Sequence, residues 1–442
     1  MTKKNVFFVG LDDFSRQTLA MLPQARECEF HAALTIEEIR EVDSYDIDRL
    51  VETAAERMAN CDGGPHGVAS FFDFPGTIIS AILAQRFGLP GPSLESLLKL
   101  EHKYWSRLEQ QKVIPDHIPA FRAFDPFDDA AFDKLDLIPP FWIKPIKSFR
   151  SYLAFDIQSA RQFRDVMQIC REKAGQITDP FRHIMDEYGM PPELAAMPET
   201  FIAESPIGGA QCTLEGYVHQ GQVVVYGAVD SVREPDGHSF SRYEYPSFLP
   251  LEIQHRMIDV ARSAVTQTGY DNAPFNVEFF YDQTAQHIWL LEVNPRASQS
   301  HADLFHKVNG VPHMSVIVDL ALGRKPKPMD RRGKWNVAAH LFLRHVGEGK
   351  VVRVPQQKAV DHLRKRQPDT RIKIEVARNQ SLSELRNQDS YSYELAHVYI
   401  GGRDRAEILD KYDEALAMLQ FEVEPETHEL RPNENAPLVE GD

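Results

Sequence analysis

Residues 275–301 read FNVEFFYDQTAQHIWLLEVNPRASQSH. Two runs of large apolar and β-branched residues flank the polar segment DQTAQ, a pattern that predicts an antiparallel β-hairpin. With the turn centred near Thr284 or Ala285, Glu278 falls opposite Glu292 or one residue away, so two carboxylates face each other about 5 Å apart. Like charges at this distance repel, and a buried ionised carboxylate is costly unless a partner compensates it.

The residues around this pair predict a cation site. Side chains alternate along a strand, so Glu292 and Asn294 share one face. Oxygen ligands from Glu278, Glu292 and Asn294 suit a hard divalent cation, Mg²⁺ or alternatively Mn²⁺, that also takes phosphate oxygens. Arg296, just after a proline, is placed to clamp a phosphate. The alternative from spacing alone is that arginines on neighbouring strands neutralise the glutamates.

Composition limits the class of protein. The 442 residues suffice for roughly three domain-sized units. The net charge of −16 argues against a protein that binds nucleic acid through its phosphates. No stretch approaches the roughly 20 apolar residues of a membrane helix, and the start lacks the apolar run of a signal peptide. We expect a soluble, cytoplasmic protein without a nucleic-acid or membrane partner.

The N-terminal part predicts a Rossmann-like parallel sheet. NVFFVG (5–10) and GVASFFDF (67–74) are strand candidates, each followed by a helical pattern. No GxGxxG follows either strand, so a dinucleotide site is not predicted. From residue 141 onward, short strands dominate, interrupted by one long helix before the hairpin. After a linker near residue 330, further strands and a helix indicate a final α/β segment, in which HVGEGKVV (345–352) predicts a hairpin.

The hairpin and EVNPR resemble the metal-binding hairpin of the ATP-grasp superfamily, and the serine-rich continuation is similar to biotin carboxylase and carbamoyl phosphate synthetase. The resemblance extends from about residue 5 to residue 421. It implies an α/β chain, α+β in its ATP-grasp part. The implied units are a Rossmann-like pre-ATP-grasp domain (1–100), a linker helix and lid subdomain (101–205), a central subdomain with the hairpin (206–330), a C-terminal α/β lobe (331–421) and an acidic disordered tail (422–442).

The resemblance also implies the phosphate contacts of ATP. Lys103 in EHKYW and Lys144 in FWIKP match lysines that contact nucleotide phosphates in the family. The family's phosphate-covering loop is glycine-rich, whereas residues 144–155, KPIKSFRSYLAF, contain no glycine. Ser148 and Ser151, with the charges of Lys147 and Arg150, are the expected substitutes for backbone amides.

FIAESPIGGAQ resembles the hinge that holds adenine. In this comparison Glu204 marks the hinge, the Ser205 carbonyl and the Ile207 amide contact the base, and Gln211 contacts the ribose hydroxyls. Candidate substrate contacts come from the polar stretch 231–250 and from the segment after the hairpin; they are Arg233, Arg242, Tyr243, Ser298 and His301.

The implied function is an ADP-forming carboxylate–amine ligase that makes an amide or peptide-type bond through an acyl phosphate, on an amino acid or a small carboxylic metabolite. ATP and Mg²⁺ are the implied cofactors, and Arg296 and Lys144 neutralise the charge on the transferred phosphoryl group. The partners are small molecules, and a homodimer is one open arrangement. Two alternatives remain: a biotin carboxylase-like carboxylating subunit and a non-catalytic ATP-binding regulatory protein.

Overall fold

The computed structural model describes residues 3–40, 45–148, 153–173, 175–188, 194, 200–235, 239–385 and 392–425. These residues form a mixed α/β structure, which confirms the predicted fold class. None of the described helices combines the length and the apolar character that a membrane crossing requires.

The N-terminal part is a small parallel sheet with helices packed around it. Its strands are β1 (Lys4–Leu11), β2 (Cys28–Thr35) and β3 (Gly67–Ser70). Its helices are α1 (Asp13–Ala20), α2 (Ile36–Arg40), α3 (Ile47–Ala59), α4 (Gly76–Arg86), α5 (Leu94–Glu101) and α6 (Lys103–Val113). The strand order is β2-β1-β3 and both pairings are parallel, as a Rossmann-like layer requires. The sequence pattern predicts β1 and β3 but misses β2, because this edge strand is only partly buried and lacks a continuous apolar run.

A second, antiparallel sheet lies within residues 101–205, the segment predicted to contain the lid subdomain. Its strands are β4 (Phe121–Phe124), β5 (Phe141–Pro145), β6 (Phe155–Ile157) and β7 (Phe201–Glu204), in the order β4-β7-β5-β6. Its helices are α7 (Ala131–Lys134), α8 (Ala160–Lys173) and α9 (Gly175–Tyr188). Side chains alternate along β5, so Phe141 and Ile143 enter an apolar core shared with α8. Lys144 lies on the opposite face of the strand, which faces the candidate site.

The largest sheet is entirely antiparallel. Its strands are β8 (Ala210–His219), β9 (Gln222–Arg233), β10 (Phe240–Tyr245), β11 (Ala273–Asp282), β12 (His287–Asn294), β13 (Val337–His345), β15 (Arg371–Ile374) and β16 (Tyr393–Gly402). They follow the order β12-β11-β8-β9-β10-β13-β16-β15. The helices of this part are α10 (Leu251–Gln267), α11 (Ala302–Asn309), α12 (Met314–Ala321), α13 (Gln357–Arg366) and α14 (Arg405–Met418). β10 pairs with β13 and places Tyr243 opposite His340, so the sheet runs from the hairpin into the C-terminal lobe without a break.

Two local predictions in the C-terminal lobe are wrong. The predicted hairpin at 345–352 is absent from the described residues; β13 pairs with β10 along residues 338–341 and with β16 from Val337 to His345. β14 (Lys350–Arg353) instead pairs with β17 (Glu422–Glu424). β17 lies inside the predicted tail, and it is ordered because Val423 packs against Val351 in a small apolar cluster. Residues 426–442, the rest of the predicted tail, lie outside the described residues.

Candidate active site

The β11–β12 hairpin brings Glu278 directly opposite Glu292. The carboxylate of Asp282 accepts hydrogen bonds from the amides of Thr284 (2.9 Å) and Ala285 (3.0 Å), which closes the turn at the predicted centre. The predicted register is therefore confirmed. Burial raises the pKa of Glu278, and the neighbouring charge of Glu292 raises it further. Both carboxylates are half-buried, and their proximity disfavours ionisation of Glu278.

Glu278 accepts hydrogen bonds from two neutral side-chain amides. Gln211 Nε2 donates to its Oε2 at 3.1 Å, and Asn294 Nδ2 donates to its Oε1 at 3.1 Å. The Asn294 amide nitrogen also donates to Asn276 Oδ1 (3.0 Å). Gln211, expected at the ribose, accepts at Oε1 from Arg233 (2.9 Å) and so lies between this arginine and the carboxylate pair. These neutral donors position the Glu278 carboxylate without cancelling its charge.

Glu292 forms an ion pair with Lys103, the first residue of α6. His102 caps this helix, since its Nδ1 accepts a backbone N–H at 3.1 Å. The Lys103 amide donates to the Ile146 carbonyl (2.8 Å), which fixes the lysine between the helix and the lid. Burial lowers the pKa of Lys103. Burial also acts to raise the pKa of Glu292, but the charges of Lys103 and Lys144 outweigh it and hold that pKa low.

Lys144 belongs to a buried ion triad centred on Glu204. Lys144 Nζ lies 2.6 Å from Glu204 Oε2, and Arg107 Nε donates to Glu204 Oε1 at 2.5 Å. Arg107 also donates to the Leu291 carbonyl (2.7 Å). Burial works to raise the pKa of Glu204, yet the two cations lower it to about 2. One carboxylate therefore links the lid strands β5 and β7 to α6 and the hairpin.

Arg296 is held by a carboxylate of the N-terminal layer. Its guanidinium lies 2.8 Å from Asp73 Oδ2, whose other oxygen is 2.9 Å from Lys147 Nζ. Lys147 also contacts Glu101, which is almost fully buried. Burial opposes ionisation of Asp73, but Lys147 and Arg296 hold its pKa far below the ordinary range. This network joins all three parts of the site: the N-terminal layer, the lid and the segment after the hairpin.

The glycine-free segment 144–155 is described in part. Ser148 is buried, with 6% of its surface exposed. Lys147, expected to face phosphate, contacts the N-terminal layer instead. The other expected contacts, Arg150 and Ser151, lie outside the described residues.

The segment after β7 leaves backbone groups open to a ligand. The Ser205 amide donates to the Ala120 carbonyl (2.9 Å), and its Oγ accepts from the Ala120 amide (3.0 Å). Within the described ranges, no residue hydrogen-bonds to the Ser205 carbonyl or to the Ile207 amide, the two groups expected at adenine. Gly209 follows with φ +127°, and a Cβ there would lie 2.2 Å from the Tyr281 carbonyl oxygen. Only glycine fits where this segment crosses β11.

The match to known proteins agrees with this geometry. The family model described as the ATP-grasp domain matches residues 137–302, which include the lid strands, the hinge, the hairpin and Arg296. Residues 137–302 are an ATP-grasp domain. The predicted superfamily is therefore confirmed.

The curated relatives match only part of this chain. The C-terminal section of the carbamoyl phosphate synthase large chain of Methanopyrus kandleri is 26% identical over 156 residues, which are 34% of this chain and 28% of the relative. The large chain of Clostridium acetobutylicum is 28% identical over 93 residues, 21% of this chain and 8% of the relative. The chain thus spans less than a third of each of these relatives.

Solved structures match nearly the whole chain. The L-amino acid ligase from Bacillus licheniformis has a TM-score of 0.68 at 15% identity and covers 97% of this chain and 100% of its own. The biotin carboxylase from Campylobacter jejuni has a TM-score of 0.61 at 14% identity and covers 95% and 86%. The N5-carboxyaminoimidazole ribonucleotide synthetase from Thermotoga maritima has a TM-score of 0.61 at 12% identity and covers 96% and 100%. These likenesses establish the fold.

A cavity of about 370 Å³ lies beside Glu278 and Arg296, between the ATP-grasp domain, the N-terminal layer and the C-terminal lobe. Four of the five predicted substrate residues line it: Arg233, Tyr243, Ser298 and His301. The volume lies within the range of small-molecule sites, about 300–1,000 Å³.

Arg242 is the exception. β10 runs through the polar stretch 231–250, and alternation along the strand directs Arg242 away from the face that carries Tyr243. Arg242 donates to Glu244 at 2.6 Å, and it is not among the residues that line the cavity. The structure therefore corrects its expected role.

The C-terminal lobe supplies cavity residues that the sequence analysis did not single out. His340 Nε2 lies 2.8 Å from His397 Nδ1, and His397 Nε2 lies 3.0 Å from Glu375, which also pairs with Lys373 (2.6 Å). Burial works to lower the pKa of His397, but its hydrogen bonds to Glu375 and Glu394 raise it. In RIKIEV (371–376), Arg371, Lys373 and Glu375 alternate with apolar residues, a pattern that predicts a strand with one polar face. What that face meets depends on β16, which is distant in sequence.

Proposed function

We propose that this protein is an ADP-forming ligase that joins a carboxylate to an amine, with ATP and Mg²⁺. The observation that carries this proposal is that Glu278 and Arg296 line one cavity, while Glu292 lies opposite Glu278 on the hairpin and pairs with Lys103. In the proposed reaction a substrate carboxylate attacks the γ-phosphorus of ATP and ADP leaves. The amine then attacks the acyl phosphate and displaces inorganic phosphate. Such a reaction requires that water be kept from the acyl phosphate, which it would hydrolyse.

The residues present fit a hard divalent cation. Glu278 receives hydrogen bonds only from neutral amides among the described residues, and Lys103 neutralises only one of the two opposed carboxylates. Carboxylate and amide oxygens are the ligands that Mg²⁺ accepts, so Glu278, Glu292 and Asn294 would hold it. The bound ion would supply positive charge beside the nucleotide phosphates.

The cations of the site would bind the triphosphate. Lys103, Lys144 and Arg296 each contact a carboxylate, and phosphate oxygens compete for such cations because they offer stronger charge-assisted hydrogen bonds. Arg296 offers a planar fork of donors, which matches the geometry of a phosphoryl group. Fixed positive groups of this kind stabilise charge that develops in the transition state.

The fold comparison supports an amino acid as a substrate. The L-amino acid ligase of Bacillus licheniformis corresponds to this chain along its entire length, C-terminal lobe included. The cavity residues that belong to the C-terminal lobe include charged and aromatic side chains. Such a lining suits a zwitterionic molecule with an apolar side chain. A biotin carboxylase-like reaction is the second candidate, because the Campylobacter jejuni biotin carboxylase has the same fold.

The test is ADP release measured against three separate panels: L-amino acids singly and in pairs, small carboxylic acids with ammonia, and bicarbonate with biotin. The ligase proposal expects release that depends on both a carboxylate and an amine. Release only with bicarbonate and biotin would replace it with the carboxylating function. ATP binding without release in any panel would indicate a regulatory protein. Arg296→Gln should abolish release, whereas Arg242→Gln, which alters a guanidinium outside the cavity, serves as the matched control.

A further inference from the structure

A buried glutamate and a histidine form a dyad in the wall of the cavity. Glu215 on β8 has no exposed surface, and its Oε1 lies 2.8 Å from His301 Nδ1. The Ser298 amide donates to the same carboxylate at 3.2 Å. Burial works to raise the pKa of Glu215, but the hydrogen bonds from His301 and Ser298 help to lower it. An ionised carboxylate only accepts hydrogen bonds, so the proton must be on His301 Nδ1.

This tautomer makes the opposite ring nitrogen a base. In neutral His301 the Nε2 atom then carries the lone pair, and it lies across the ring from Glu215. His301 lines the cavity, and its ring meets the edge of Tyr243 at 4.9 Å between centroids. No hydrogen bond joins Nε2 to any residue in the part of the chain that the structure describes.

His313, the second histidine near Glu215, does not share the properties of His301. His313 Nδ1 lies 3.8 Å from Glu215, beyond hydrogen-bond distance. Burial lowers the pKa of His313 to about 4, so this ring stays neutral at physiological pH. It does not line the cavity. Of the two rings beside Glu215, only His301 can meet a substrate.

His301 also lies close to Arg296 along the chain. It follows Arg296 by five residues in the segment that leaves the hairpin, and both side chains line the same cavity. A carboxyl group activated beside Arg296 would therefore have a base within the same cavity. General bases are commonly histidines oriented through their second nitrogen by a carboxylate.

We propose that His301 is the general base of the second half-reaction and that Glu215 is its positioning residue; this assignment rests on the ligase function proposed above. The amine nitrogen attacks the carbonyl carbon of the acyl phosphate. The new C–N bond forms, the bond between carbon and the phosphate oxygen breaks, and inorganic phosphate leaves with the bond electrons. His301 Nε2 takes the proton that the nitrogen loses. The resulting imidazolium is stabilised by Glu215 and returns its proton to water.

The experiment compares two nucleophiles on the same acyl phosphate. Hydroxylamine is uncharged at neutral pH and attacks without a base, giving a hydroxamate. An amino acid arrives as an ammonium ion and must lose protons. His301→Asn keeps a side-chain N–H toward Glu215 but has no basic nitrogen. The ratio of amino-acid transfer to hydroxamate formation should fall about 100-fold or more in this variant, since general bases contribute about 10²–10⁴-fold.

Further variants separate catalysis from packing. Glu215→Gln should lower the same ratio, because the amide can stabilise neither the tautomer nor the imidazolium. His306→Asn, a histidine of α11 that does not line the cavity, should leave the ratio unchanged. Added imidazole should raise the ratio in His301→Ala, whereas filling a purely structural hole would raise both rates together.

The outcomes separate the two proposals. If both reactions fall in parallel in His301→Asn, the dyad only holds the segment after the hairpin in place, and the assignment is overturned while the ligase function stands. If wild-type protein forms no hydroxamate with any carboxylate, the ligase function itself fails, and the assignment fails with it.

Discussion

Replacing Glu204 by glutamine tests the ion triad that links the lid to the hairpin. The change replaces the carboxylate that pairs with both Arg107 and Lys144 by a neutral amide, so both cations lose their shared partner. Arg107 has only 4% of its side chain exposed, so water cannot replace the lost charge. Breaking a buried ion pair by removing one partner typically costs about 3–5 kcal/mol.

The pKa of Glu204 gives an independent magnitude. It lies at about 2, against an ordinary value of 4.5. The difference corresponds to about 3 kcal/mol, at about 1.4 kcal/mol for each tenfold change in proton affinity. Because the folded-state pKa is depressed, this stabilisation is complete above pH about 4.5 and disappears as the pH falls through about 2. At pH 3 only about 1.4 kcal/mol of it remains.

Urea unfolding followed by tryptophan fluorescence measures this effect. Trp105 in α6 and Trp142 in β5 lie beside the triad and report on this part of the molecule. The free energy of unfolding of Glu204→Gln should fall below that of the wild type by about 3 kcal/mol at pH 7, and by less than half of that at pH 3. Glu52→Gln, which breaks the exposed pair with Arg86, is the matched control and should have little effect at either pH. A deficit of the same size at both pH values would refute the reasoning.

Three further changes address the site directly. Glu278→Gln should remove the rise in melting temperature that Mg²⁺ adds to ATP; a shift equal to that of the wild type would count against the cation site. Arg296→Lys should slow ADP release about 100-fold, since a point charge cannot replace the planar fork, while ATP still raises the melting temperature; an unchanged rate would remove this residue from the chemistry. Gly209→Ala should lower the free energy of unfolding by about 1–3 kcal/mol, because its methyl group meets the Tyr281 carbonyl; wild-type stability would contradict the close approach.

The sequence predicts those parts of the site that depend on local order along the chain. The period of two in β11 and β12, with DQTAQ between them, was enough to place Glu278 opposite Glu292. The same local order marked Arg296, whereas the hinge after β7 is expected only from the family resemblance. Side chains on neighbouring strands of a short hairpin have few alternative registers, because a slip of one residue would turn the apolar face toward water.

Other predictions failed where the answer depended on distant segments. β14 follows β13 closely in the sequence, yet it pairs with β17, which is distant in the sequence. Arg242 and Tyr243 are neighbours in a strand and so lie on opposite faces, but the position of the sheet decides which face meets the cavity. The polar and aromatic composition of this segment does not show which of the two side chains faces the cavity.

The tertiary structure also decided which charges meet. The sequence presents Lys103, Lys144 and Arg296 as cations for phosphate, but only the packed molecule pairs them with Glu292, Glu204 and Asp73. Likewise, Glu215 and His301 are 86 residues apart and become a dyad only when the segment after the hairpin packs on β8. Periodicity and turn chemistry act over a few residues and so determine strands, hairpins and registers. Burial and charge pairing act between segments that only the assembled core brings together. The tertiary structure therefore determines which residues form the site.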